Sequence, residues 1–140
     1  RGAELELYTH YNIGKHQFSL TGHYSYTVSE NVDTKKQLIY VPYHKGNFNL
    51  AYSYKSFSMF YQHMFNGEVF TTEDNLHGRF YALDAYDLAN LGCFYKILNT
   101  DCNMLELGLN INNIFNEVYQ NVALRPMPNR NFNIQIHYEF

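Results

Sequence analysis

Asn131-Phe132-Asn133-Ile134-Gln135-Ile136-His137-Tyr138-Glu139-Phe140 are the last residues of the sequence, and they alternate strictly between polar and apolar. Side chains of a β-strand point to opposite faces in turn. Asn131, Asn133, Gln135, His137 and Glu139 therefore make one wholly polar face, and Phe132, Ile134, Ile136, Tyr138 and Phe140 one wholly apolar face. The apolar face is ordered as well, with aromatic residues at its ends and two isoleucines between them. A bilayer asks this of a lipid-facing strand, because amphipathic rings favour the interface and aliphatic groups the hydrocarbon.

The same period recurs upstream. Ala3, Leu5, Leu7, Thr9 and Tyr11 oppose Glu4, Glu6, Tyr8 and His10 in a first strand expected over residues 2–11. Phe18, Leu20, Gly22, Tyr24, Tyr26 and Val28 oppose Ser19, Thr21, His23, Ser25 and Thr27 in a second, over 16–28. Pro42 marks the approach to a third, since proline has no place inside a ladder; there Phe48, Leu50, Tyr52 and Tyr54 alternate with Asn47, Asn49, Ala51 and Ser53. The fourth, over 57–65, breaks the rule by carrying Phe60 and Met64 on its polar side. A fifth is expected over about 83–97 without a fixed register, and the sixth sets Leu105, Leu107, Leu109 and Ile111 against Glu106, Gly108, Asn110 and Asn112.

The totals agree with a β-protein: 14 Tyr and 11 Phe stand against 3 Pro among 140 residues. No apolar run reaches the length of a transmembrane helix, but strands that alternate escape such a test. A net charge of -3 with no basic stripe argues against nucleic acid. The connections alternate between short (residues 12–15, 55–56 and 98–101) and long (29–37, 66–82 and 115–129). Outer-membrane barrels show this asymmetry, with short periplasmic turns and longer outer loops. The fold expected is all-β: an antiparallel transmembrane β-barrel of which residues 1–140 form the C-terminal part. Seven strands are an odd count where bacterial single-chain barrels have even ones, and open edges in lipid cost several kcal/mol per backbone group. The rest of the barrel is thus expected to lie outside this chain.

Several stretches carry a resemblance to a known family. Gly108-Leu109-Asn110-Ile111-Asn112-Asn113-Ile114-Phe115-Asn116-Glu117-Val118-Tyr119 is similar to the NLFN-x-x-Y segment of TonB-dependent outer-membrane transporters. Arg125-Pro126-Met127-Pro128-Asn129-Arg130-Asn131-Phe132 resembles the P-G-R-x-F/Y that precedes their last strand, with Asn129 in place of the usual glycine. Tyr138-Glu139-Phe140 resembles their aromatic-x-Phe ending, and Arg1-Gly2-Ala3-Glu4 the R/K-G-x-E that opens an internal strand. The resemblance implies a barrel of about 22 strands around a plug, with this chain holding the last seven and the plug and earlier strands absent from it. It also implies localisation in the bacterial cell outer membrane and import of a scarce ligand driven through TonB. The expected partners are the remaining barrel and plug, the TonB complex, outer-membrane lipid and lipopolysaccharide, and a surface lipoprotein. Cobalamin or a related tetrapyrrole is preferred as ligand, on the look of residues 127–132; a ferric siderophore is close behind, and haem is a further candidate.

Ligand contacts are expected on the outer loops. Tyr40, Tyr43, Phe70, Phe80 and Tyr81 offer rings for stacking, His44 and His77 a haem-type contact, and Arg79 and Arg125 a partner for anionic groups. The competing reading puts these rings in an outer aromatic girdle or in loop packing. His10, His23 and His137 fall on the polar face without metal-ligand spacing, so no metal site and no resident cofactor are expected. Glu4, Glu6, Glu106 and Glu139 line the same face, where nothing supplies a nucleophile; an enzyme is not expected. A bond between Cys93 and Cys102 would need a register other than that of a hairpin centred near Asn99. The alternative function is a small soluble barrel of lipocalin type, in which the apolar faces would point inward.

Overall fold

Seven long strands pair in the antiparallel order β1-β2-β3-β4-β7-β8-β11. They are β1 (Gly2–Ile13), β2 (His16–Thr27), β3 (His44–Tyr54), β4 (Phe57–Asn66), β7 (Tyr86–Asn99), β8 (Met104–Asn112) and β11 (Asn131–Glu139). Two short hairpins, β5 (Val69–Phe70) with β6 (Ala82–Leu83) and β9 (Gln120–Val122) with β10 (Arg125–Pro126), decorate the long connections. The computed structural model describes residues 1–100 and 103–140, and every regular element among them is a strand.

The register brings all the apolar faces to one side. A single ladder row runs Tyr11, Phe18, Tyr52, Met59, Cys93, Leu109, Ile134 across the seven strands. The row beside it runs Thr9, Leu20, Leu50, Tyr61, Leu91, Ile111, Phe132. A slip of one residue anywhere would turn a strand's greasy face to the opposite side, so the agreement over six pairings is a strong constraint. Ile134 and Ile136 remain 77% and 71% exposed, and β1 and β11 stand at the two edges of the sheet. The seven strands therefore do not close on themselves around an apolar interior, and the geometry does not favour the lipocalin-like alternative.

The turns at one end are tight. Ile13 pairs with His16, so β1 runs two residues past the expected Tyr11 and the loop is Gly14-Lys15 alone. Gly14, at φ +59°, takes the first central position that a II′ hairpin turn reserves for glycine. Lys55 occupies the equivalent position between β3 and β4 at φ +52°. β7 starts at Tyr86 rather than Leu83, because Ala82 and Leu83 pair with Phe70 and Val69 instead. Its register sets Tyr95 opposite Phe57, and an irregularity between Lys96 and Leu98 shifts the ladder with β8. Cys93 lies between Met59 and Leu109; its bonding to Cys102 lies outside the described residues.

The polar face carries apolar residues of β4 and β7, among them Met64 beside Leu88 and Phe60 beside Gly92. The Phe60 ring lies over Gly92 and the Phe94 ring over Gly108, so that a Cβ on Gly92 would come within 2.3 Å of Phe60 and one on Gly108 within 2.7 Å of Phe94. The two rings stack at 6.2 Å.

The long connections are exposed over residues 30–35 and 115–118, yet they also carry packing. All the buried hydrophobic residues described, Val28, Val69, Phe70, Ala82, Leu88 and Ala89, lie in them or at the adjoining end of β7. The first two connections are stitched together: Tyr40 N–H donates to Phe70 O at 2.9 Å and Asn75 Nδ2 donates to Gln37 O at 2.9 Å. Buried Gln37 accepts from the Ser29 amide and donates to the Thr27 and Val41 carbonyls. These bonds answer the demand that backbone groups buried in a loop find partners.

Candidate functional site at the outer loops

A cavity of about 720 Å³ opens where the second and third long connections meet. Arg79, Phe80, Asp84 and Tyr86 line one side, and Glu117, Tyr119, Gln120 and Leu124 the other. A second cavity of about 310 Å³ shares Leu83, Asp84, Tyr86 and Gln120 with it and continues past Tyr40, Asn121 and Met64. Met64 lies on the polar face of β4, so the smaller cavity borders the side that lines the barrel interior.

Tyr86 and Tyr119 form the centre. Their rings lie 4.7 Å apart, tilted by 40°, and the Tyr86 hydroxyl donates to Asn121 Oδ1 at 2.7 Å. Tyr86 is held as the first residue of β7, opposite Asn66. Tyr119 is held by the loop that Asn113 organises, where Met127 N–H donates to Tyr119 O. Leu124 is 93% exposed at φ +64° on the tip between β9 and β10, and Phe80 is 83% exposed on the opposite rim. Rings share the lining with the charged Arg79, Asp84 and Glu117 and the amide of Gln120, and the size falls in the usual range of small-molecule sites, about 300–1,000 Å³.

The expected ligand residues are distributed unevenly about this site. Arg79 and Phe80 line the larger cavity and Tyr40 the smaller. Phe70 is buried beneath the loops, edge-on to His77, whose Nδ1 meets Glu68 Oε1 at 2.7 Å. Tyr81 hydrogen-bonds through its backbone to Gly78 and Thr71, and Arg125 pairs with Val122 in the small hairpin. Tyr43 stacks on Tyr26, while His44, paired with Tyr26 across the ladder, lies tilted against its ring at 5.1 Å and meets the Tyr24 hydroxyl through Nδ1 at 2.7 Å, away from either cavity. Tyr86, Tyr119, Asn121 and Leu124 were not singled out from the sequence as site residues. The only prior sign was that Tyr119 ends the NLFN-x-x-Y stretch. Among the described residues no group of three or more His, Cys, Asp or Glu comes together as a metal site would require.

An open antiparallel sheet with one lipid-compatible face, tight turns at one end and cavity-forming loops at the other defines the wall of an outer-membrane β-barrel receptor. The model of the family described as TonB dependent receptor-like, beta-barrel matches residues 1–114, and the chain belongs to that family. It is thus a segment of a bacterial outer-membrane barrel of the receptor and transport class, whose members work with a plug and with TonB. The match ends before residues 125–132 and 138–140, so it rests on the earlier strands rather than on the closing stretches that the sequence reading weighted most. Comparison with curated proteins gave no match.

Proposed function

We propose that the chain supplies the wall and part of the outer vestibule of a receptor that captures a scarce, ring-bearing nutrient and passes it inward past a plug. The two adjoining cavities around Tyr86 and Tyr119 carry this reading: they lie at the loop end, present aromatic faces flanked by amide and charged groups, and the smaller one reaches Met64 on the interior side of β4. Strands beyond β1 and β11, outside the 140 residues, would complete the barrel, since both edges otherwise leave backbone groups unpaired in lipid. Cobalamin or a related tetrapyrrole is the first choice of ligand and a ferric siderophore the second. Rings of either kind stack on tyrosine, and Arg79 offers a partner for carboxylate or phosphate groups. No step in this reading asks for covalent chemistry; capture is by contact, and the energy for release comes from the inner membrane.

The full receptor, purified in mild detergent, is titrated separately with cyanocobalamin, haemin and a ferric catecholate. One of the three should bind, and Tyr86→Ala or Tyr119→Ala should weaken that binding at least tenfold while the barrel stays folded. Binding of one probe that is indifferent to both substitutions would remove the cavity from the path, and binding of none would remove these ligand classes.

A further inference from the structure

The apolar face carries a concavity of about 320 Å³ that the receptor function does not use. Its side chains come from two adjoining ladder rows on β1 to β4: Tyr11, Phe18, Tyr52 and Met59, then Thr9, Leu20, Leu50 and Tyr61. Leu20 pairs with Leu50 in one row, and Phe18 with Tyr52 in the next, their rings 5.0 Å apart. The row nearest the turns, Ile13, His16, Tyr54 and Phe57, closes it toward the short-turn end. The groove lies three to five residues from those turns, roughly 10–17 Å along a strand at about 3.4 Å per residue. At a tilt of about 45° that is the inner half of a hydrocarbon layer about 30 Å thick.

Charge at its mouth is one-sided. The two turns below the groove carry Lys15 and Lys55, both exposed, and they flank the His16–Tyr54 pair. The Lys55 ammonium lies 5.1 Å from the centre of the Tyr54 ring. Tyr54 stacks on His16 at 4.3 Å, and His16 Nδ1 meets the Tyr52 hydroxyl at 2.9 Å. Because Tyr54 belongs to the apolar face, this row holds the ammonium on the membrane side of the rim rather than in the lumen. No Asp or Glu occurs in residues 7–29 or 34–67, which include all of β2, β3 and β4. The positive charge of the two lysines is therefore not offset by any carboxylate of these strands or turns.

We infer that this groove is a binding site for one phospholipid of the periplasmic leaflet with an anionic headgroup. An acyl chain lies over Leu20 and Leu50 between the rings, and the phosphate sits between Lys15 and Lys55. A compact ammonium pairs well with a phosphate as a point charge, and aliphatic chains fill a space that water cannot favourably occupy. The inference rests on the membrane-facing orientation of the apolar side, which the receptor reading shares.

The full receptor is placed in nanodiscs of nine parts phosphatidylethanolamine to one part phosphatidylglycerol, and its retained lipid is counted by native mass spectrometry. Heat-resistant migration on a gel, read on the same sample, reports separately whether the barrel is folded in the bilayer. Phosphatidylglycerol should be enriched at least fivefold over its share of the bilayer. The Lys15→Gln/Lys55→Gln pair should return it to that share, and Leu20→Trp, which fills the groove, should release it with both lysines intact. A folded barrel without enrichment, enrichment that survives both variants, or preferential retention of lipid A would each overturn the site.

Discussion

Asn113 and Glu117 close on each other in both directions. Asn113 Nδ2 donates to the Glu117 carbonyl and Asn113 Oδ1 accepts from the Glu117 amide, each at 2.8 Å. Asn113 is 5% exposed and sits at φ +52°, where asparagine is among the few residues that settle readily. Its own amide donates to Asn90 Oδ1 at 2.9 Å, which ties the turn to β7, and Asn116 Oδ1 accepts from the Arg130 amide at 3.0 Å, which ties it to the start of β11. Two asparagines thus fix how the third long connection leaves β8 and returns.

Asn113→Ala strips the part-buried Glu117 amide and carbonyl of their side-chain partner and leaves a Cβ-bearing residue with no local compensation at positive φ. Each such bond contributes about 0.5–1.5 kcal/mol net, so a loss of about 1–3 kcal/mol in barrel stability is expected, read as a lower urea midpoint in detergent. Asn113→Gly should recover the part that comes from backbone conformation and no more. A loss below about 1 kcal/mol for alanine would show that the bonds are dispensable.

The orientation of the sheet makes a prediction by pairs of neighbours. Leu109 and Ile134 face each other on the apolar side, while Gln135 and Gly108 face each other on the polar side one residue along. Arginine at the bilayer midplane on a lipid-facing position costs about 2–4 kcal/mol, and on the lumen side far less. Ile134→Arg should therefore slow or abolish refolding into lipid vesicles where Gln135→Arg refolds as the parent does. Equal behaviour of the two would mean that the apolar side does not meet hydrocarbon.

How much of this was legible beforehand depends on the range of the contacts. The faces of β1, β2, β3, β8 and β11 follow from a period of two within a few residues, and the register bears them out row by row. The site does not follow in this way. Tyr86 and Tyr119 meet because β7 pairs with β8 and because Asn113 turns the chain back. Neither event leaves a mark near Tyr86 itself. The packing inside the loops escapes for a related reason: Glu30, Asp33, Glu73 and Asp74 advertise solvent and are exposed, while the buried Val69, Phe70 and Ala82 are too few and scattered to show a period. Phe60 stood out as an exception on the polar side, but its reason, the bare backbone of Gly92 beneath it, lies on another strand.

That exception gives the third prediction. A ring over a glycine covers backbone that would otherwise be open, and the fit leaves no room for a methyl group. Gly92→Ala should destabilise by about 1–3 kcal/mol, as overpacking does, measured by the same urea titration. Adding Phe60→Leu should restore part of the loss, since the clash is with the ring edge. If the double variant is as unstable as the sum of the two singles, the clash is with Asn110, whose Oδ1 lies 2.5 Å from the same position.

Leu124 joins strain to exposure. Its left-handed backbone costs an ordinary residue roughly 1–2 kcal/mol, and its side chain, almost wholly in solvent, returns no packing energy to offset this. Such strain is retained where a site uses the residue, and Leu124 stands on the rim of the cavity opposite Phe80. Leu124→Gly should thus raise thermal stability slightly, by no more than about 1 kcal/mol, and at the same time weaken capture of whichever probe the receptor binds by about three- to tenfold. The opposite signs are the test. A glycine variant that gains stability and binds as tightly as the parent would place Leu124 outside the site, and one that loses both would show that the leucine holds the hairpin rather than the ligand.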